Sequence, residues 1–139
     1  MAKDLKKYFS GLKAKLKKKD QLHKLKFENT SDFVFWYEGR LSEQKNKCHY
    51  CRIAEDDVNK IVSKGKLTSA RFPEDGVPSR GRGRGIHFEV DRKDPQGDYS
   101  GLNCVLACYF CNNDKSDIFS EEQYSKFILN RAEFLRSLL

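Results

Sequence analysis

The chain has 139 residues, of which 38% are hydrophobic, 12% aromatic and 34% charged, with a net charge of +7. That length supports one domain with a modest core and excludes two, and no apolar run reaches the roughly 18–20 residues that cross a bilayer. The N-terminus also lacks the apolar core of a secretory signal, so a cytoplasmic protein without a membrane partner is expected.

Residues 1–26 hold ten lysines and two aspartates, a charge of +8 that leaves the remainder at −1. Within them Leu5, Tyr8, Phe9, Leu12 and Leu16 recur at helical spacing. This predicts an amphipathic helix over residues 3–19, its apolar face on the body and its lysines outward. Charge therefore divides the chain into a basic arm, 1–26, and a body, 27–139. The arm, with Lys17, Lys18 and Lys19 together, suits contact with a polyanion. A solvated helix face is the alternative.

Thr30, Ser31 and Asp32 offer caps for a second helix carrying Phe33, Val34, Phe35, Trp36, Tyr37 and Leu41 and ending near Asn46. Such a density of aromatics is the mark of core. Cys48-His49-Tyr50-Cys51 follows, then a short helix over 54–64 with Val58, Ile61 and Val62. From Gly65 to Gly85 the chain is rich in Gly, Pro, Ser and Arg and reads as a loop. Arg80, Arg82 and Arg84, spaced by glycines, suit phosphate-backbone contact.

Ile86 to Asp91 reads as a strand, with His87, Glu89 and Asp91 on one face and Phe88 and Val90 on the other. A turn at residues 94–98 leads to a returning strand from Asn103 to Leu106. A short helix is expected near Cys108-Tyr109-Phe110-Cys111-Asn112-Asn113-Asp114-Lys115. A capping box, Ser120-Glu121-Glu122-Gln123, opens a final helix with Tyr124, Phe127, Ile128, Phe134, Leu135 and Leu138 on its core face. The fold class is α+β.

In a reducing compartment, five cysteines favour metal over disulfides. Two Cys-x-x-Cys knuckles, Cys48/Cys51 and Cys108/Cys111, supply four thiolates. That closes a tetrahedral sphere, as in a structural Zn2+ site. Cys104 is left over, a small buried hydrophobe. His49, inside the first knuckle, is a substitute ligand only if a cysteine is displaced.

Residues 86–115, with Cys48 and Cys51, resemble the HNH, or ββα-metal, endonuclease family in its four-cysteine, zinc-braced form. The resemblance covers about a quarter of the chain. It implies a small ββα-metal core surrounded by helices, and metal-dependent cleavage of double-stranded DNA. Asp91 matches the aspartate that binds the catalytic Mg2+ or Mn2+, Asn112 the ligand on the following helix, and Asn103 the asparagine that fixes the hairpin loop. Lys115 matches a basic residue one turn on, which implies a contact to nucleic acid.

The family carries Asp-His where this chain carries Asp91-Arg92. Arginine accepts no proton at neutral pH, so Arg92 suits the scissile phosphate or the charge that develops on it. His87 is the nearest replacement base, about 13 Å from Asp91 along an ideal strand. Glu89 is closer, as ligand or base, and Asp94 and Tyr99 lie on the turn. A variant pattern of Asp-Arg-x-Asp followed by tyrosine and asparagine fits Asp91-Arg92-Lys93-Asp94, Tyr99 and Asn103. Two-strand cleavage would favour a homodimer. The rival expectation is a non-catalytic, zinc-stabilised DNA- or RNA-binding module on the same scaffold.

Overall fold

Asp4 sets where the chain first turns helical. Its carboxylate accepts from the Lys7 N–H at 3.1 Å and caps α1, Leu5–Lys18, in the computed structural model, which describes residues 3–66, 87–126 and 128–139. Phe9 and Leu16 are its buried positions. A single 3-10 turn, Leu22–Lys24, follows, and α2, Thr30–Glu43, is capped by Asn29. The ring of Phe9 stacks on Phe33 of α2 with centroids 4.8 Å apart, and Phe27 meets Phe33 edge-on at 5.3 Å. The basic arm is thus seated on the body through an aromatic core. Tyr37 shares that core, whereas Phe35 of the same cluster is 82% exposed.

After the first knuckle comes α3, Glu55–Ser63, burying Val58, Ile61 and Val62. The antiparallel pair β1, Glu89–Arg92, and β2, Cys104–Ala107, has Glu89 opposite Ala107 and Asp91 opposite Val105. It leads into α4, Tyr109–Lys115. The predicted strand from Ile86 begins instead at Glu89, and Ile86 lies outside the described residues. The single predicted final helix is two: α5, Glu121–Ser125, with the expected capping box, and α6, Leu129–Ser137. Phe127 lies outside the described residues, and Phe134 faces solvent while Leu135 is buried.

A lone two-stranded hairpin is marginal in water, so its edges need partners. On the β1 edge Tyr8 accepts the Val90 N–H at 3.0 Å, and the Phe88 carbonyl accepts from Tyr37 at 2.6 Å and Lys3 at 2.9 Å. On the β2 edge the Gln44 amide pairs with both main-chain groups of Leu106, at 3.0 and 2.9 Å. Gln44 is 5% exposed and behaves as a one-residue third strand. No described helix is long and apolar enough to cross a membrane.

A candidate metal centre beside a four-cysteine cluster

The first knuckle is a tight loop in which Arg52 takes a left-handed φ of 64° and its N–H returns to the Cys48 carbonyl. The second sits at the start of α4, where the Cys108 sulfur caps the helix by accepting the Cys111 N–H. Folding brings the four sulfurs of Cys48, Cys51, Cys108 and Cys111 within 4.8 Å of one another, all buried. Burial raises the cost of a thiolate here. Even so, the thiols of Cys108, Cys111 and Cys51 donate to Cys48 and hold its pKa well below the usual range. Four buried sulfurs this close together fit one tetrahedral zinc. Cys104 lies apart from the cluster in β2, and burial pushes its thiol up to about 12.

The zinc-type cluster carries a second set of groups on its rim. Asp91 is 5% exposed in β1. Tyr50, inside the first knuckle, donates to Asp91 Oδ2 at 2.5 Å. The Lys115 ammonium, fully buried on α4, lies 3.1 Å from the same oxygen and donates to the Arg92 carbonyl at 2.7 Å. Burial raises the Asp91 pKa, while Tyr50 and Lys115 oppose the shift without cancelling it. Burial and the neighbouring Asp91 raise the Tyr50 pKa, so its phenol stays a donor. Two positions before Asp91, the buried Glu89 accepts from Asn112 Nδ2 at 2.6 Å. That bond turns the amide oxygen of Asn112 away from Glu89. Two carboxylates and an amide oxygen are the donor set of a hard cation that keeps several waters.

Asn103 closes the turn that follows β1. Its Oδ1 accepts the Asp94 N–H at 3.1 Å, and its Nδ2 donates to the carbonyls of Asp94 and Asp98 at 3.0 and 2.9 Å. Only glycine fits opposite it, because a Cβ on Gly97 would stand 2.7 Å from Asn103 Nδ2.

Other predicted residues are placed differently. Lys115 points inward and is spent on Asp91, so it does not offer the solvent-facing nucleic-acid contact expected of it. His87 turns Nδ1 to Glu55 of α3 at 3.6 Å, and its Nε2 is buried without a hydrogen-bond partner among the described residues. Arg92 donates to the Gly97 carbonyl at 3.0 Å, approaches Asp117 at 3.4 Å and lies 4.5 Å over the Tyr99 ring. Arg80, Arg82 and Arg84 lie outside the described residues. Lys17, Lys18 and Lys19 are exposed at the end of α1.

Two groups at the site escape a reading by spacing. Tyr50 is one. The other is a dyad: His49 Nε2 is hydrogen-bonded to a carboxylate oxygen of Glu121, the first residue of α5. The His49 ring stands edge-on to Tyr50 at 5.0 Å and its side chain is 31% exposed, whereas that of His87 is 11% exposed. The Glu121 N–H binds the Lys93 carbonyl at 2.8 Å, which ties the dyad to the end of β1.

No family model matches the chain, and no curated relative does. Among solved structures, the fold is similar to that of the rare-cutting HNH restriction endonuclease PacI, with a TM-score of 0.62 and 22% identity. The alignment covers 93% of this chain and 77% of that one. The α+β architecture, a hairpin and helix with a four-cysteine cluster among surrounding helices, is therefore that of an HNH endonuclease fold.

Proposed function

We propose that the protein is a metal-dependent DNA endonuclease that hydrolyses phosphodiester bonds by single-metal HNH-type chemistry. What supports this reading is that Asp91, and Glu89 with its hydrogen-bonded partner Asn112, sit on the hairpin and helix of an HNH-type fold that also carries the four-cysteine cluster. Asp91 and Asn112, with Glu89 next to them, would hold one Mg2+ or Mn2+, which when bound supplies Lewis-acid stabilisation to the phosphate and the leaving 3′ oxygen.

The chain's own residues supply the rest. Tyr50 and Lys115 keep Asp91 oriented and favour its carboxylate. With Nε2–H donated to Glu121, the His49 ring keeps its lone pair on Nδ1, and that atom accepts the proton of the attacking water. His49 replaces His87 in this role because His87 is nearly enclosed and engaged with Glu55. Asn103 fixes the turn carrying Asp94 and Gly97, against which Arg92 is held. The lysines of the basic arm, Lys17, Lys18 and Lys19 among them, add sequence-independent affinity for the duplex, so binding weakens steeply with salt.

The direct test is nicking of supercoiled plasmid with Mg2+, Mn2+ or EDTA, comparing the wild type with Asp91→Asn. Divalent-dependent nicking that Asp91→Asn abolishes is the expected result, and wild-type-level cleavage by the variant sinks the reading. One observation favours a second reading, that of a non-catalytic zinc-stabilised nucleic-acid-binding module. Asp91 already has a buried cation in Lys115, and Glu89 already has a donor in Asn112. A protein that shifts DNA in a gel but never nicks it would belong to that class.

A further inference from the structure

Beside Arg92 lies a cleft of about 230 Å³ that the cleavage chemistry does not use. Lys15 of α1, Lys19 at its C-cap, Lys24 from the 3-10 turn, Arg92 and Tyr99 line it, together with Asp117. Four cations and one carboxylate face one small space. Chain segments some seventy residues apart in sequence meet there, because the main chain of Tyr99 pairs with both residues flanking Leu25: the Lys26 N–H binds the Tyr99 carbonyl at 2.9 Å and the Tyr99 N–H binds the Lys24 carbonyl at 2.8 Å.

The cations are unequally held. Arg92 is 8% exposed and fixed by Gly97 and the Tyr99 ring, so its guanidinium cannot leave the cleft. The Lys24 ammonium is held only loosely, by the Gln96 carbonyl at 3.4 Å. Asp117 approaches Arg92 at 3.4 Å from a side chain that is 75% exposed. A pair so exposed on one side and so long contributes little. Asp117 is therefore an easily displaced stand-in for an anion on a fixed guanidinium.

We infer that this cleft is a binding site for a backbone phosphate of the nucleic acid, taken up by Arg92, Lys24, Lys15 and Lys19 in place of Asp117. Arg92 is the residue directly after Asp91, so the phosphate held there is a neighbour of the scissile one. It fixes the register of the strand on the site. The inference deepens the nuclease reading and rests on it for the identity of the strand, but the cleft can be tested without cleavage.

The experiment measures duplex binding by fluorescence anisotropy in EDTA as a function of salt, with plasmid nicking in Mg2+ run separately on the same preparations. Lys24→Gln should lower the slope of log affinity against log salt by about one. Asp117→Asn should tighten binding and raise that slope. Lys6→Gln, on α1 but lining a different surface with Thr30 and Phe35, should change it far less. Added pyrophosphate should compete with DNA in the wild type and less well in Lys24→Gln. Equal losses for Lys24→Gln and Lys6→Gln, or weaker binding by Asp117→Asn, would overturn the cleft and leave only diffuse charge. Pyrophosphate that binds without displacing DNA would overturn the backbone assignment and mark a site for free phosphate compounds. Cleavage that fails while the binding pattern holds would count against the nuclease reading alone. Circular dichroism and zinc content confirm that each variant is folded.

Discussion

Tyr50 and Asp91 are joined by a 2.5 Å hydrogen bond between the zinc-type knuckle and the first strand. The knuckle therefore does more than brace the hairpin: it supplies the donor that favours the carboxylate of the acid proposed to hold the metal. In the free protein burial outweighs that help, and the Asp91 pKa lies above its ordinary value.

The first prediction follows from the sign of this shift. Cleavage needs the Asp91 carboxylate, so the acid limb of the pH–rate profile should lie above that of an ordinary aspartate and move down as Mg2+ is raised. Tyr50→Phe removes a bond to a charged acceptor, worth about 1.5–3 kcal/mol, and should move the limb up by about one to two pH units. Stability runs the other way. Because the folded pKa is raised, the contribution of Asp91 to metal-free stability is fully present below its unfolded pKa. It is lost as pH rises through the folded one. Urea melts of the metal-free protein should therefore show Tyr50→Phe extending that loss to higher pH. An acid limb unmoved in Tyr50→Phe would show that the bond does not act on Asp91 in solution.

A second prediction concerns the buried pair of Asp91 and Lys115. Removing one partner leaves the other charge stranded. Asp91→Asn should cost about 3–5 kcal/mol in urea unfolding, and Lys115→Met a similar amount near neutral pH. The Lys115→Met loss should ease on acidification, since Asp91 can then take a proton, whereas the Asp91→Asn loss should not. The double variant Asp91→Asn/Lys115→Met should recover much of the summed loss. Strictly additive losses would mean that the two side chains do not interact.

How much of this was legible in the sequence depends on range. The knuckles and their four cysteines were readable because the chemistry of zinc fixes their local spacing. The α1 face was readable because helical periodicity is local. Asn103 was placed by resemblance, and its three bonds to the turn explain why an amide stands there. Tyr50 and His49 were not legible. A tyrosine and a histidine between two cysteines carry no spacing signal, and their partners, Asp91 and Glu121, lie 41 and 72 positions away. Strand alternation puts His87 on the face of Asp91 but could not reveal that α3 places Glu55 against it. Lys115 is a similar case: its position beyond the knuckle was visible, but not the helix rotation that turns it inward. The split between α5 and α6 was hidden because both helices continue one apolar pattern.

The four-cysteine cluster carries a third prediction. Purified protein should contain one zinc per chain, and Cys48→Ser or Cys111→Ser should lose both zinc and cooperative unfolding, because metal binding at such a site is folding free energy. Cys104→Ala should keep the full zinc content. In the native protein Cys104 should also resist thiol reagents, since burial leaves almost no thiolate there. Full zinc retention in Cys48→Ser would exclude the four-sulfur site. Mass spectrometry of the intact protein and reagent titration in native and denaturing buffer read both outcomes.

The last prediction tests the proton acceptor, where the sequence carries Arg92 in place of the histidine of the HNH pattern it resembles. Two of the candidates are histidines near the hairpin, and their surroundings separate them. His87 faces Glu55, and its other nitrogen is buried without a hydrogen-bond partner among the described residues. His49 is a third exposed, is oriented by Glu121 and stands beside the tyrosine that holds Asp91. His49→Gly should reduce kcat by about 10²–10⁴, with duplex affinity in EDTA unchanged, and added imidazole should restore part of the rate. Glu121→Gln should lower kcat less, because it keeps a polar partner for Nε2 but loses the charge that stabilises the imidazolium formed on proton uptake. His87→Gln should cleave at close to the wild-type rate, with its cost appearing in stability through the lost contact to α3. A large kcat defect in His87→Gln, or a His49→Gly variant that imidazole leaves unrescued while His87→Gln is impaired, would return the base to β1. Since neither substitution touches the four cysteines, zinc content should be unchanged in both, which isolates the effect from the frame.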